Sequence, residues 1–139
     1  DAGRGAIIGP LAIAGVLVDE EDIPKLVQLG VKDSKLLSPH RREYLAPEIK
    51  RIAKSYAVIM LQPPEIDKVV ETGGKLRRLN RLEAQTMARV IETLKPQKVY
   101  VDASDVLEER YKQHIQECLS FQVQIIFEDN WHSCFQKEF

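Results

Sequence analysis

The sequence predicts an α/β fold, a sheet carrying helices on its faces, on three observations. Short apolar runs of strand character alternate with longer segments of helical period through most of the chain. Glycine, proline and acidic residues bound those runs, as they do where strands end and helices begin. One long segment, "LNRLEAQTMARVIETLK", carries Leu79, Leu82, Met87, Val90, Ile91 and Leu94 on one broad stripe until Pro96 stops it.

Taken in order, "LAIAGVLV" (11–18) is short, rich in β-branched or small residues, and framed by Gly9-Pro10 and "DEED", which predicts a well-buried strand. "IPKLVQL" predicts one or two helical turns. Ser38 and Pro39 then form a helix start, and Leu45, Ile49 and Ile52 continue it at helical spacing, with an interruption or restart expected near Pro47. "YAVIMLQ" reads as a second strand ended by Pro63-Pro64, and "PPEIDKVVET" as a short helix closed by Gly73-Gly74. After the long helix, "KVYVDA" is a compact strand ending near Asp102. In "SDVLEERYKQHIQECL" a capping pair, Asp105 and Glu108, precedes Leu107, Tyr111, Ile115 and Leu119 on one helical face. "FQVQIIF" closes the pattern as a strand nearer the edge of the sheet.

With 139 residues the chain has the usual size of one domain, and a single domain over 1–139 is expected. A hydrophobic fraction of 44% and a charged fraction of 29% exclude disordered, collagen-like and disulfide-scaffold classes. No apolar run approaches the roughly 20 residues that cross a bilayer, and no basic-then-apolar leader opens the chain. A cytoplasmic protein without membrane contact is therefore expected. Cys118 and Cys134 fit neither a metal knuckle nor a set of bridges, which suits a reducing compartment, and Cys118 is expected in the core.

The formal net charge of −1 gives no global attraction to nucleic acid, so such a partner must be held by local clusters. Two exist: Lys32, Lys35, His40, Arg41 and Arg42 in "KDSKLLSPHRR", and Lys75, Arg77, Arg78 and Arg81 in "KLRRLNR". Taken alone, the ordinary reading of such clusters is a solvated, solubilising face. Asp102 closes a strand directly before a helix, and in open α/β sheets ligands gather at the carboxyl ends of strands. The competing role is a helix cap, for which Ser104 and Asp105 are better placed. Asp1 precedes "AGRG", whose small residues let backbone approach a phosphate closely while Arg4 adds charge. No Walker pattern follows. His40, His114 and His132 share no metal-ligand spacing and are expected to be solvated.

Four blocks in order, "DAGRGAIIGPLAIAGVLV", "VKDSKLLSPHRREYL", "LNRLEAQTMARVIETL" and "VYVDASDVLEERY", closely resemble ribonuclease HII, the type 2 ribonuclease H, particularly in its archaeal form. The resemblance covers roughly residues 1 to 127. It implies a ribonuclease H-like mixed sheet flanked by helices. It also implies a metal-dependent endonuclease that cuts the RNA strand of RNA–DNA hybrids, including single ribonucleotides embedded in DNA. By position Asp1 matches the second member of the family's acidic pair and Asp102 its third carboxylate. Both are thereby implied as catalytic residues and ligands of two Mg²⁺ or Mn²⁺ ions. Gly3, Arg4 and Gly5 match the turn that reads the ribose 2′-hydroxyl, and Lys35 matches a contact to the substrate backbone. Asn80 and Glu83 match a further block and are expected to give structural support.

Against that pattern the family's first strand has no counterpart ahead of Asp1, and "EDNWHSCFQKEF" stands where its fourth carboxylate and carboxy-terminal helical region belong. A chain incomplete at both ends is therefore expected. Neither Glu128 nor Asp129 takes over a role, while Trp131 and Phe135 are expected to cover core. Two functions stay open at this point: a monomeric nuclease acting on hybrids or ribonucleotide-containing DNA, or an impaired, binding-only relative or fragment.

Overall fold

The computed structural model describes residues 9–70, 75–102 and 108–127. Its elements follow the predicted alternation: β1 (Leu11–Leu17), α1 (Ile23–Leu29), α2 (Pro39–Ile52), β2 (Ser55–Leu61), α3 (Pro63–Val70), α4 (Lys75–Leu94), β3 (Lys98–Val101), α5 (Glu108–Glu117) and β4 (Gln124–Phe127). Two compact units divide these residues. The first takes in residues 9–15 and the described part of 57–127, and the second residues 16–56. The described strands form two pairs, β1 with β2 and β3 with β4.

In the first unit α4 is the central element. Ala84, Ala88 and Ile91 on one side of it join Val101, Tyr111, Ile115, Val123 and Ile125 in a single apolar cluster, so α4 packs on β3, β4 and α5. Val90 and Leu94 lie one step around the helix, and there β1 comes very close. A methyl group at Gly15 would stand 2.6 Å from Val90 Cγ1 and 3.0 Å from Leu94 Cδ1, so only a residue without a side chain permits this approach. α4 ends at Leu94, and Lys95, the next residue, has a left-handed φ of 49°. Pro96 cannot continue the helix and disfavours the helical conformation for the residue before it.

β3 and β4 run parallel, pairing Lys98 with Gln124 and Val101 with Phe127, and α5 supplies the crossover that a parallel pair requires. Three side-chain bonds hold the segment after α5. Gln116 Nε2 donates to Phe121 O at 2.9 Å, and the Glu92 carboxylate of α4 accepts from both Ser120 N–H, at 3.1 Å, and Ser120 Oγ. The Ser120 hydroxyl bond, followed by its amide bond, holds the exposed Glu92 carboxyl below the usual carboxylate range. A carboxyl lowered on folding adds stability above its unfolded-state pKa, and that contribution fades as pH falls through the folded-state value. Ser120→Ala is expected to return Glu92 toward its ordinary titration and to remove this acid-sensitive contribution. An NMR titration of Glu92 measures it, and an identical midpoint in the variant would refute the assignment.

In the second unit α1 ends on Gly30, whose φ of 78° supplies the left-handed cap that closes the helix on Leu26 O and Val27 O. α2 starts as predicted, with Ser38 Oγ accepting from Arg41 N–H at 3.2 Å and Pro39 at the first helical position. The helix does not break at Pro47 but runs through it to Ile52. Pro47 and Glu43 are both exposed, so the carbonyl that loses its helical partner can be solvated, and Leu45 still buries.

Cys118 is exposed, contrary to the expectation of a core position. Past Glu117 the turn tightens, Cys118 N–H bonding Ile115 O and Leu119 N–H bonding Gln116 O. Leu119, one residue further on, packs partly buried against the cluster instead.

Candidate active site

Of the residues singled out as a site, Asp1, Gly3, Arg4 and Gly5 lie outside the described residues, while Asp102 and Lys35 lie within them. Asp102 belongs to the first unit and Lys35 to the second. Each is therefore described within its own unit.

Asp102 follows Val101, the last residue of β3, and is exposed. Val101 is buried and paired with Phe127, whose ring meets Tyr111 edge-on at 6.2 Å and 72°. An anchored strand end thus releases an acid to solvent at the carboxyl end of a parallel pair, where α/β folds collect ligands. An exposed carboxylate at that position is a hard oxygen donor suited to Mg²⁺ or Mn²⁺ and not to a soft metal. Among the described residues no group of three or more His, Cys, Asp or Glu side chains is placed to hold a metal, so Asp102 is one donor and not a site by itself.

Lys35 sits in a single 3₁₀ turn, Ser34–Leu36, and is exposed. Asp33 caps that turn, its Oδ1 accepting from Lys35 N–H at 2.9 Å, and Leu36 N–H bonds Asp33 O at 2.9 Å. The aspartate of "DSK" therefore acts on the backbone, and the lysine points its charge to solvent from a defined turn.

Arg41 and Arg42 carry a role that the sequence reading missed. There they counted as part of a basic cluster for a nucleic-acid partner, but both guanidinium groups bond backbone carbonyls. Arg41 Nη2 donates to Leu29 O at 2.6 Å, and its Cζ lies 5.1 Å from the centre of the Tyr44 ring. Arg42 Nη1 donates to Ser34 O and Leu37 O, each at 3.0 Å. A signal was available: two cations in the first turn of α2 oppose the helix dipole, which favours anions there. Residues placed against that preference have work elsewhere.

Asn80 and Glu83 are buried on α4 beside Thr86, whose Oγ1 donates to Leu82 O at 2.8 Å. Glu83 is only 1% exposed, and neither it nor Asn80 lacks a partner. Burial inside the first unit fits structural support, since a carboxylate taken out of water must be compensated.

A model of the family described as ribonuclease HII matches residues 1–132. The ribonuclease HII of Thermococcus onnurineus is 44% identical over 130 residues, 92% of this chain and 55% of that protein. Among solved structures, the ribonuclease H2 of Pyrococcus horikoshii aligns with a TM-score of 0.78 at 38% identity over 91% of this chain and 58% of that one. The ribonuclease HII of Archaeoglobus fulgidus, solved in complex with PCNA, aligns with a TM-score of 0.76 at 38% identity and the same coverage. These likenesses agree with an α/β fold of the ribonuclease H kind, and the chain spans a little over half the length of the relatives it matches. With the match running from residue 1 to residue 132 and identity holding near that level across species, the chain belongs to the ribonuclease HII family.

Proposed function

We propose that this protein is a divalent-metal-dependent endonuclease that hydrolyses the RNA strand of RNA–DNA hybrids, including at single ribonucleotides embedded in DNA. The observation that carries the reading is the family match over residues 1–132. The exposed position of Asp102 at the end of β3 supports it. In this reading Asp1 and Asp102 are the catalytic carboxylates and hold Mg²⁺ or Mn²⁺ through their oxygens. When bound, such ions supply an activated water and charge stabilisation at the leaving 3′ oxygen.

The chain's own residues select and orient the substrate. The backbone of Gly3, Arg4 and Gly5 contacts the 2′-hydroxyl, the group that separates RNA from DNA, and Arg4 holds a neighbouring phosphate. Lys35 contacts the substrate backbone as a point charge. The protein acts as a monomer in the cytoplasm, through one ribonuclease H-like domain. No described helix is long and apolar enough to cross a membrane.

The test compares three duplexes with the purified protein: an RNA–DNA hybrid, a DNA duplex with one ribonucleotide, and the same duplex in DNA alone. Cutting of the first two with Mg²⁺ or Mn²⁺, its loss in excess chelator, and no cutting of the third are expected. Equal cutting of all-DNA duplex, or cutting that persists in chelator, would overturn the reading.

A further inference from the structure

We propose that Arg42 is a positioning residue for Lys35: through Nη1 it fixes the turn that presents the lysine. The inference deepens the proposed function and rests on the reading of Lys35 as a contact to the substrate backbone.

The two carbonyls that Arg42 Nη1 engages, Ser34 O and Leu37 O at 3.0 Å each, bracket Lys35 in the chain. One nitrogen with two protons bridges the start and the end of the turn. Ser34 O already accepts from Leu37 N–H at 3.2 Å, so Arg42 reinforces the bond that closes the turn and satisfies a second carbonyl left at its exit. Arg42 itself projects from the first turn of α2, which Ser38 caps and which Arg41 fastens to the end of α1. The lysine is thus held on a short chain of bonds running back to two helices. A surface ammonium otherwise loses much of its binding energy to the entropy of its stem and loop, and a fixed turn reduces that loss.

Both protons of Nη1 are committed to the two carbonyls, which fixes how the guanidinium lies against the turn and separates this role from that of a freely moving basic patch. Arg42→Lys distinguishes the two, because it keeps the positive charge but replaces the planar fork with a shorter, single-headed group. If Arg42 touched phosphate, lysine would retain most of the binding. If it braces the turn, lysine loses it.

The experiment measures equilibrium binding of a fluorescent RNA–DNA hybrid in metal-free buffer with chelator, so that no cutting intervenes. Lys35→Ala is expected to weaken binding about tenfold, the effect of losing one charge-assisted contact. Arg42→Lys is expected to weaken it nearly as much, and the double variant no further than Lys35→Ala alone. Amide hydrogen exchange at Leu36 and Leu37 is expected to speed up in Arg42→Lys and not in Lys35→Ala. Wild-type binding by Arg42→Lys, or additive losses in the double variant, would overturn the proposal. Binding unchanged by Lys35→Ala would overturn the reading of Lys35 and the proposal with it.

Discussion

Asp102→Asn is expected to reduce metal-dependent cleavage of an embedded ribonucleotide by on the order of a thousandfold while leaving the fold intact. In the proposed mechanism Asp102 is a charged metal ligand, whose loss removes several kcal/mol of charge stabilisation, and each 1.4 kcal/mol or so is a factor of ten in rate. The fold should not respond, because Asp102 is exposed and follows the last residue of β3 without belonging to it. Asparagine has the same shape, so the change in unfolding free energy should stay within about 0.5 kcal/mol. Single-turnover cleavage at saturating Mg²⁺, alongside chemical denaturation, measures both. Full activity in the variant would remove Asp102 from the catalytic set, and with it the assignment of the strand end as the place where metal is held.

The largest loss of stability is expected from Tyr111→Ala, about 3–5 kcal/mol, the usual cost of emptying a large buried aromatic site. Tyr111 is 1% exposed, the largest of the fully buried side chains among the described residues, and lies in the cluster that joins α4, α5, β3 and β4. Its ring meets Phe127 edge-on, and Phe127 is the register partner of Val101. The damage therefore reaches the strand end that carries Asp102, and cleavage should fall with stability. Tyr111→Phe keeps the ring and should lose far less. Urea denaturation of the two variants distinguishes them. Equal losses would mean that the hydroxyl and not the ring anchors the cluster.

Much of the architecture was legible in the sequence. The strand at 11–17 announced itself as an apolar run between punctuating residues, and the long stripe of α4 by its period. The run through Pro47 was not, because one exposed carbonyl can be left to water when the rest of the helix still packs. Nor was the burial of Asn80, Glu83 and Thr86, which apolar periodicity passes over although they share α4 with Ala84 and Ala88. The position of Asp102 at a strand's carboxyl end could be read directly from "KVYVDA". What Arg41 and Arg42 do could not, since a guanidinium bonded to a distant carbonyl and one facing solvent look alike in sequence. The opening motif carries the rest of the expected site, and Asp1, Gly3, Arg4 and Gly5 lie outside the described residues.

The parallel pairing of β3 and β4 also sets a timetable for synthesis. Among the described residues β3 has β4 as its hydrogen-bonded neighbour, and that neighbour is made only after α5 has been translated. A nascent chain halted before Gln124 would already hold α4 and β3, yet Val101 would lack its partner Phe127. Pairings across a long connection form slowly, since the loop must close before they reward it. On the ribosome, then, the strand end bearing Asp102 is set only when the last described strand has emerged.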